Sequence, residues 1–365
     1  MSGASPDAEA RLARVRERVR KDELDAVVVT SDESIAYLTG FRPLQLERLF
    51  AVVVGAAGGG AVIVPRLDEG HLEAVPAELE PRVYDAGSNG LPELVEALAG
   101  ARIVGVEEDH LTFARSRALV GHGFDLRPAG AIPLGLRGRK DAAEVERIRA
   151  ACSVVEEVVQ MTFATMREGD VERVVNARAE GWLRERGATG AHALILFGEN
   201  AANPHGSPGD RVLARGDVVC ADISACLDGY WGDMTRCATA GSPSPWALAA
   251  WEVVRRAQQE ATVVAVAGRR AQEVDAAQRR VIESAPELGR CLHGAGHAIG
   301  LAVHEPPFLV PSSGAILEEG MILTIEPGIY ERGIGGIRLE DDVLVRTGAP
   351  ELLSLLPLDL VEVPV

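Results

Sequence analysis

The sequence predicts two domains, an α/β domain at residues 1–135 and a larger α+β domain at residues 141–365. In the first, short apolar runs typical of strands alternate with segments of helical periodicity. In the second, two pairs of long helices are each followed by strand-like segments. The stretch P-L-G-L-R-G-R-K, residues 133–140, separates the two patterns. A chain of 365 residues is long enough to bury a core in each domain.

The first domain opens with a basic helix, which we interpret as a solvated amphipathic face. A hairpin is expected where the glycine-rich turn A-A-G-G-G separates two apolar runs. In chain order, the predicted elements are a helix at 11–21, strands at 24–31, 51–55 and 61–65, a helix at 91–98, a strand at 101–107 and a helix at 112–120. The mixture predicts an α/β domain and indicates no chemistry.

The second domain begins with a strong helix-start signal. Asp141 is the predicted N-cap and Glu144, three residues later, completes a capping box. We expect this helix to end at Gly169. Further helices are predicted at 171–186, 245–266 and 271–284. Because each helix pair precedes strands that carry acids or histidines, the pattern suggests an internal duplication whose halves supply ligands to one cleft.

Composition excludes several classes of function. A net charge of -17 argues against a nucleic-acid partner. No run of 18 apolar residues exists, so no membrane span is expected, and no secretory signal is visible at the N-terminus. The odd count of five cysteines lacks a disulfide or zinc-ribbon pattern, which predicts reduced thiols and a cytoplasmic protein.

Two aspartates lie in segments that otherwise resemble buried strands. Asp228-Gly229 is a strong hairpin turn signal between them. Counting outward from that turn places Asp222 opposite Thr235, so Asp222 and Asp233 share one face. Two carboxylates on one buried face repel each other unless a cation lies between them.

Two glutamates show a parallel arrangement. The loop E-R-G-I-G-G is centred near Gly333, and a simple hairpin about that centre places Glu326 opposite Glu340. Pro327 can disturb this register. Arg338 shares the face of Glu340 and is a candidate charge partner or substrate anchor.

The histidines His293, His297 and His304 fall within L-H-G-A-G-H-A-I-G-L-A-V-H-E-P. The first two have the i, i+4 spacing of a zincin helix, but position 294 is Gly rather than the motif's Glu. The glycines favour strand and loop over helix, and the following prolines predict that His304 closes a strand. His205, in a polar loop after an apolar run, is a weaker candidate.

Carboxylates outnumber imidazoles among these residues, and no thiol is well placed. Such ligands favour Mn²⁺, Co²⁺ or Fe²⁺ over a structural zinc. Four acids exceed the requirement of one dication, which predicts a pair of metals. A metal pair produces a hydroxide at neutral pH and polarises a carbonyl, so the residues themselves indicate metal-assisted amide hydrolysis.

With these residues in view, the chain resembles the pita-bread metallopeptidases, specifically the Xaa-Pro dipeptidase (prolidase) and aminopeptidase P group. The likeness spans nearly the whole chain. It includes L-D-A-V-V-V-T-S-D-E-S-I-A-Y-L-T-G-F near the N-terminus and five separated motifs in the family's order. The resemblance implies a creatinase-like N-terminal domain followed by a pita-bread catalytic domain.

The resemblance also implies roles for individual residues. The implied metal ligands are Asp222, Asp233, His297, Glu326 and Glu340. Asp233 and Glu340 would bridge both metals, and Glu326 would also take a proton from the bridging water. His205 and His304 would contact the scissile group, while His293 and Arg338 match further active-site positions. Ser224 and Gly232 depart from the family's usual Gly and Ser, which bears on substrate preference.

The function implied by the resemblance is hydrolysis of the peptide bond preceding proline in dipeptides or short peptides, by a hydroxide bridging two metals. Mn²⁺ is the first expectation, with Co²⁺, Fe²⁺ and Zn²⁺ as alternatives, and a homodimer is implied. Two alternative functions stay open. One is a non-peptide amidohydrolase of the same fold, like creatinase or ectoine hydrolase, and the other is a metal-free binding protein, against which the five intact ligand positions argue.

Overall fold

The computed structural model describes residues 6–364. Contacts divide the chain into two compact units, Met1–Arg137 and Gly138–Val365. Within the described residues, no helix is both long enough and apolar enough to cross a membrane.

The first unit is built on a mixed six-stranded sheet in the order β4-β3-β2-β1-β5-β6. Its strands are β1 (Ala26–Val29), β2 (Ala51–Gly55), β3 (Gly60–Pro65), β4 (Glu80–Tyr84), β5 (Ile103–Val106) and β6 (Asp125–Pro128). Its helices are α1 (Pro6–Lys21), α2 (Asp32–Thr39), α3 (Leu91–Ala97) and α4 (Phe113–Gly121), and α5 (Ala131–Gly138) follows. The predicted hairpin is confirmed, since β2 and β3 pair antiparallel. Val28, Leu94 and Leu119 lie in the core of this α/β unit.

Four helices organise the second unit. They are α6 (Ala142–Thr165), α7 (Glu172–Glu185), α8 (Pro245–Val264) and α9 (Ala271–Ile282). The predicted capping box is confirmed: Asp141 accepts the Glu144 N–H and Glu144 accepts the Asp141 N–H, each at 2.9 Å. The predicted end of α6 at Gly169 is wrong. The helix ends at Thr165, and Gly169, with φ of 90°, lies in the following turn, where its N–H donates to the Leu213 carbonyl.

Three sheets complete the second unit. The four-stranded sheet has the order β17-β9-β8-β7, the five-stranded sheet the order β11-β10-β12-β15-β16, and β13 pairs with β14. Their strands are β7 (Gly190–Phe197), β8 (Val218–Leu227), β9 (Tyr230–Ala240), β10 (Gly296–Ala298), β11 (Glu305–Leu309), β12 (Ile322–Ile325), β13 (Gly328–Glu331), β14 (Gly335–Arg338), β15 (Asp341–Leu344), β16 (Glu351–Leu352) and β17 (Val361–Val363).

The helices pack on these sheets through separate apolar clusters. Val155 of α6 and Val175 of α7 share a cluster with Ile223 of β8. Val274 of α9 shares another with Leu323 of β12. The order of elements, a helix pair followed by a sheet, therefore occurs twice along the unit, and the acids and histidines lie on strands of both sheets or beside them.

Candidate metal centre

Asp222 and Asp233 are positioned by the β8–β9 hairpin. Its register matches the prediction: Leu227 pairs with Tyr230, and Asp222 pairs with Thr235. Asp228 and Gly229 form the turn with φ of 48° and 84°, as a tight hairpin turn with two left-handed residues requires. Ser224 pairs with Asp233, so both aspartates lie on one face of the hairpin.

The close packing of α6 explains the glycine beside Asp233. A Cβ at Gly232 would lie 2.5 Å from the backbone nitrogen of Cys152. A serine at this position would therefore force the helix away from the strand. The departure from the family's usual serine is a packing requirement of this chain.

Glu326 and Glu340 lie between two antiparallel ladders, β12–β15 and β13–β14, which share one register. Ile325 pairs with Asp341 in the first ladder, and Gly328 pairs with Arg338 in the second. Between these pairs, the Glu326 N–H donates to the Ala295 carbonyl at 2.8 Å, and the Glu340 N–H donates to the Thr235 carbonyl at 3.1 Å. The predicted hairpin register is thus present on both sides of the glutamates. The ladder is interrupted at Pro327, which has no N–H to donate.

His297 is held at the centre of β10, as the glycine pattern predicted. A Cβ at Gly296 would lie 2.1 Å from the Thr324 carbonyl oxygen, so only glycine permits this approach of β10 to β12. The Nδ1 of His297 lies 3.0 Å from the Ala298 carbonyl. That carbonyl selects the tautomer with hydrogen on Nδ1 and leaves the lone pair of Nε2 free to bind a cation.

Ligand atoms of Asp233, His297 and Glu340 lie within 4.8 Å of one another, and all three side chains are buried. Oδ1 of Asp233 is buried and has no hydrogen-bond partner among the described residues. Burial raises the pKa of Asp233 well above its ordinary value, and the neighbouring Asp222 adds to the effect. Burial also raises the pKa of Glu340, with Asp233 next in importance. A cation would relieve each of these penalties at once.

The other two predicted ligands adjoin this group. Glu326 Oε1 lies 3.7 Å from His297 Nε2, and burial raises the pKa of Glu326 to about 7, opposed by Arg338. The carboxylate of Asp222 forms an ion pair with the Arg338 guanidinium. Arg338 is therefore the charge partner of Asp222 rather than of Glu340. The structure thus brings three predicted ligands into one cluster and places the remaining two beside it.

Of the two predicted proton-handling histidines, His304 lies against the cluster. The rings of His304 and His297 are 4.0 Å apart between centroids. Burial lowers the pKa of His304 below its ordinary value, and His205 acts in the same direction. The prediction that His304 closes a strand is wrong, because β11 begins at the next residue, Glu305. As an edge strand, β11 tolerates the prolines that were taken as a stop signal. His205 is exposed in the loop after β7.

Tyr330 is a site residue that sequence reasoning missed. Arg338 Nη1 donates to its hydroxyl at 3.0 Å, and the hydroxyl lies 2.7 Å from His293 Nε2. Burial lowers the pKa of His293 to about 4, so at neutral pH this ring is uncharged and accepts the phenolic hydrogen. The sequence did contain a signal for this residue. Tyr330 lies two residues from Gly328, and Gly328 pairs with Arg338 in the hairpin, so strand alternation places Tyr330 on the same face as Arg338.

Comparisons with known proteins agree with this geometry. The model of metallopeptidase family M24 matches residues 146–347, and the Creatinase/Prolidase N-terminal domain matches residues 11–137. The chain belongs to metallopeptidase family M24. Membership confirms the predicted pita-bread fold and metallopeptidase class, and the family's chemistry implies divalent metal ions.

Individual relatives cover nearly the full length of the chain. An uncharacterized peptidase of Staphylococcus aureus strain MSSA476 is 30% identical over 352 residues, 94% of this chain and 98% of the relative. The prolidase of Thermococcus sibiricus is 30% identical and superposes with a TM-score of 0.91, covering 99% of this chain and 100% of that one. The Xaa-Pro dipeptidase of Bacillus anthracis is 27% identical with a TM-score of 0.89, covering 98% of this chain and 100% of that one.

The residues present fit divalent metal ions. The donor set combines carboxylate oxygens with one imidazole, which hard and borderline dications prefer. The unpartnered Oδ1 of Asp233 is the clearest indication, because a buried carboxylate oxygen without a donor is costly unless a cation binds it.

Proposed function

We propose that this M24 metallopeptidase hydrolyses the peptide bond preceding proline in dipeptides or short peptides. The observation that carries the hydrolytic part is the buried cluster of Asp233, His297 and Glu340 with its unpartnered carboxylate oxygen. The proline preference is supported by the names of the structural relatives, a prolidase and an Xaa-Pro dipeptidase.

Five residues would hold two divalent ions, with Mn²⁺ as the first choice and Co²⁺, Fe²⁺ or Zn²⁺ as alternatives. The ligands in this proposal are Asp222, Asp233, His297, Glu326 and Glu340, of which Asp233 and Glu340 would be shared between the two ions. When bound, such a pair supplies a hydroxide at neutral pH and polarises the scissile carbonyl.

The chain's own residues manage the protons. Glu326 accepts a proton from the attacking water, since its carboxylate lies beside the ligand cluster. His304 and His205 contact the scissile group, donate hydrogen bonds to the tetrahedral oxygen and protonate the leaving proline nitrogen. The reaction consumes one water and releases the free residue and proline.

Arg338 and His293 orient this machinery through Tyr330. The chain of contacts runs from Asp222 through the Arg338 guanidinium and the Tyr330 hydroxyl to His293. Arg338 Nε also donates to the Thr235 hydroxyl at 3.1 Å, and that hydroxyl donates to Glu340 Oε2 at 2.7 Å. One arginine therefore links β8, β9 and the segment that carries Glu340, and this supports a positioning role for it.

The test is a substrate panel on protein reconstituted with Mn²⁺ or Co²⁺. Release of proline from Xaa-Pro dipeptides is the expected result, with metal content measured on the same sample by elemental analysis. Creatine and ectoine-type amides belong in the panel. Cleavage of those compounds without any cleavage of prolyl peptides would overturn the proposal in favour of a non-peptide amidohydrolase.

A cytoplasmic homodimer completes the proposal. All five cysteines are free thiols, as expected in a reducing compartment. Light scattering coupled to gel filtration measures the oligomeric state directly, and a monomer at micromolar concentration would contradict the dimer.

A further inference from the structure

One of the two lysines in the chain is buried. Of the 37 lysines and arginines, only Lys21 and Lys140 are lysines. Lys21 is exposed. The side chain of Lys140 is only 1% exposed, and its Nζ lies 3.2 Å from Oε2 of Glu305, whose side chain is 3% exposed. A chain that otherwise uses arginine for its cations thus keeps a compact ammonium at this buried position, where a planar guanidinium would need more space.

Stability alone does not account for the Lys140–Glu305 ion pair. Removing two charges from water costs free energy that their attraction only roughly offsets, so apolar side chains of similar volume commonly serve a core at least as well. Lys140 is also held by its backbone, since its N–H donates to the Gly320 carbonyl at 2.8 Å. We therefore expect the pair to have a role that two apolar side chains would not fulfil.

The loop between β10 and β11 is anchored on Glu305. Oε1 of Glu305 accepts the Ala302 N–H at 3.1 Å, while Oε2 faces Lys140. The Ala302 carbonyl accepts the Gly300 N–H at 3.0 Å, and the Gly300 carbonyl accepts the Trp231 N–H of β9 at 2.8 Å. A Cβ at Gly300 would lie 2.9 Å from both Glu305 Oε2 and Lys140 Cε. The loop therefore packs directly on the ion pair and is tied to β9 on its other side.

His304 is the last residue of this loop and is exposed, whereas Glu305 beside it is buried. The two side chains project in different directions: the His304 ring lies 4.0 Å from the His297 ring between centroids, and Glu305 contacts Lys140. We propose that Lys140 and Glu305 are positioning residues, whose ion pair holds the β10–β11 loop so that His304 reaches the scissile group. This inference rests on the proposed peptidase function, in which His304 contacts the substrate.

The experiment replaces both members of the pair, because Lys140→Met alone leaves a buried carboxylate without its cation and can unfold the protein. Lys140→Met/Glu305→Met removes both charges and the acceptor for the Ala302 N–H. On the metal-loaded enzyme, kcat for Ala-Pro should fall about 10- to 100-fold, with KM within about threefold of the parent. In Lys140→Met/Glu305→Gln the amide oxygen still accepts the Ala302 N–H, so kcat should lie between those of the parent and the methionine variant.

A second background separates positioning of His304 from general damage. Adding Lys140→Met/Glu305→Met to His304→Ala should lower kcat by no more than about threefold further, because the group that the pair positions is already absent. An equal loss in both backgrounds overturns the proposal. A glutamine variant no more active than the methionine variant also overturns it, since the hydrogen bond to Ala302 would then have no effect.

Metal content distinguishes this route from one through the metal ligands. Burial raises the pKa of Asp342 to about 7, and the Lys140 ammonium opposes this rise, so Lys140 lies close enough to act on that carboxylate. Asp342 in turn accepts the Asp233 N–H at 3.0 Å. Elemental analysis of the reconstituted methionine variant should give the parental metal content. A loss of metal in proportion to the loss of kcat overturns the assignment to His304.

Arg139→Gln is the matched control. It breaks the ion pair with Glu318, 3.1 Å long, one residue before Lys140, where the two side chains are 55% and 52% exposed. Because exposed ion pairs contribute little, kcat should stay within about twofold of the parent. Thermal unfolding verifies that each variant is folded.

Failure of the proposed function has a separate signature. Hydrogen–deuterium exchange of residues 299–304 reports on the loop without any substrate. The Ala302 amide should exchange at least about tenfold faster in the methionine variant than in the parent, and at nearly the parental rate in the glutamine variant. If the parent cleaves no prolyl peptide, this result still supports anchoring of the loop by the pair although the peptidase function is refuted. Unchanged exchange in the methionine variant overturns the anchoring whatever the activity.

Discussion

Glu107 in the first unit and Asp233 in the second are both buried carboxylates, with 3% and 6% of their surface exposed. Glu107 accepts hydrogen bonds from the Thr30 N–H, the Ser31 N–H at 2.7 Å and the Ser31 hydroxyl at 2.7 Å. Asp233 instead has an unpartnered oxygen and faces further acids. Burial of a charge alone therefore does not mark a functional site. A buried carboxylate oxygen that lacks a hydrogen-bond donor and lies among other acids does mark one.

The same contrast separates two buried arginines of the second unit. Arg236, 1% exposed, donates to the Thr235 and Glu340 carbonyls at 3.0 and 2.6 Å and pairs with Asp341 at 2.6 Å. Its bonds go mainly to backbone, which fixes the segment between β14 and β15 that carries Glu340. Arg338 instead contacts side chains of the centre, namely Asp222, Thr235 and Tyr330. One arginine secures the fold, while the other orients reactive groups.

The largest expected effect concerns Asp233, the functional carboxylate in the comparison with Glu107. Asp233→Asn should lower kcat/KM for Xaa-Pro dipeptides by roughly 10³-fold or more, as loss of an essential active-site group does. Metal content, measured by elemental analysis, should fall with it. In the metal-free state this variant should be at least as stable as the parent, because it removes a buried charge from an acid cluster. Retention of a tenth of the activity would contradict the assignment.

Glu326 allows a pH test of the same cluster in chelator-treated protein. Its pKa is raised from 4.5 to about 7, so the folded state holds a proton that the unfolded state releases. The stability contributed by this proton is fully present below pH 4.5 and is lost as the pH rises through 7. Relative to Glu326→Gln, the parent should lose on the order of 3 kcal/mol across that window.

Urea unfolding of both proteins at several pH values measures this difference. The comparison with Glu326→Gln is needed because His293 and His297, whose pKa values burial lowers to about 4, act in the opposite direction below pH 6.5. If the free energy of unfolding changes with pH in the same way in both proteins, the folded state does not hold a proton on Glu326 that the unfolded state releases.

Glu107→Gln tests whether the fully hydrogen-bonded carboxylate of Glu107 serves stability rather than activity. The amide group would present N–H groups to donors that now bind a carboxylate, so about 1–3 kcal/mol of stability should be lost. Metal content and kcat per folded molecule should match the parent, as measured by elemental analysis and active-site-normalised kinetics. A loss of activity without loss of stability would place Glu107 in the functional machinery.

The smallest expected effect concerns Thr235. Thr235→Val removes the hydroxyl that donates to Glu340 and accepts from Arg338 while keeping the shape of the side chain. Because the hydroxyl orients a ligand without being one, metal affinity or kcat/KM should fall about tenfold. Thr235→Ser should restore most of it. Equal affinity and activity in both variants would reduce Thr235 to a packing residue.

Much of the fold followed from local sequence signals. The capping box at Asp141, the Asp228-Gly229 hairpin and the alternating strands depend on neighbouring residues, and the structure reproduces them. Where local signals misled, longer-range packing decided. The prolines after His304 indicated a strand end, yet β11 begins there because an edge strand does not need their missing N–H groups.

The sequence by itself determined the chemical types at the centre and the faces from which they project, since strand alternation and turn position specify both. It also determined the family, through motifs in a common order. Tertiary structure alone decided that Asp222 pairs with Arg338, that Tyr330 joins Arg338 to His293, and that Arg290 lies beside Tyr330. Apart from Tyr330 and Arg338, which the hairpin register places on one face, these contacts join residues that no periodicity relates, because they depend on how separate strands meet in space.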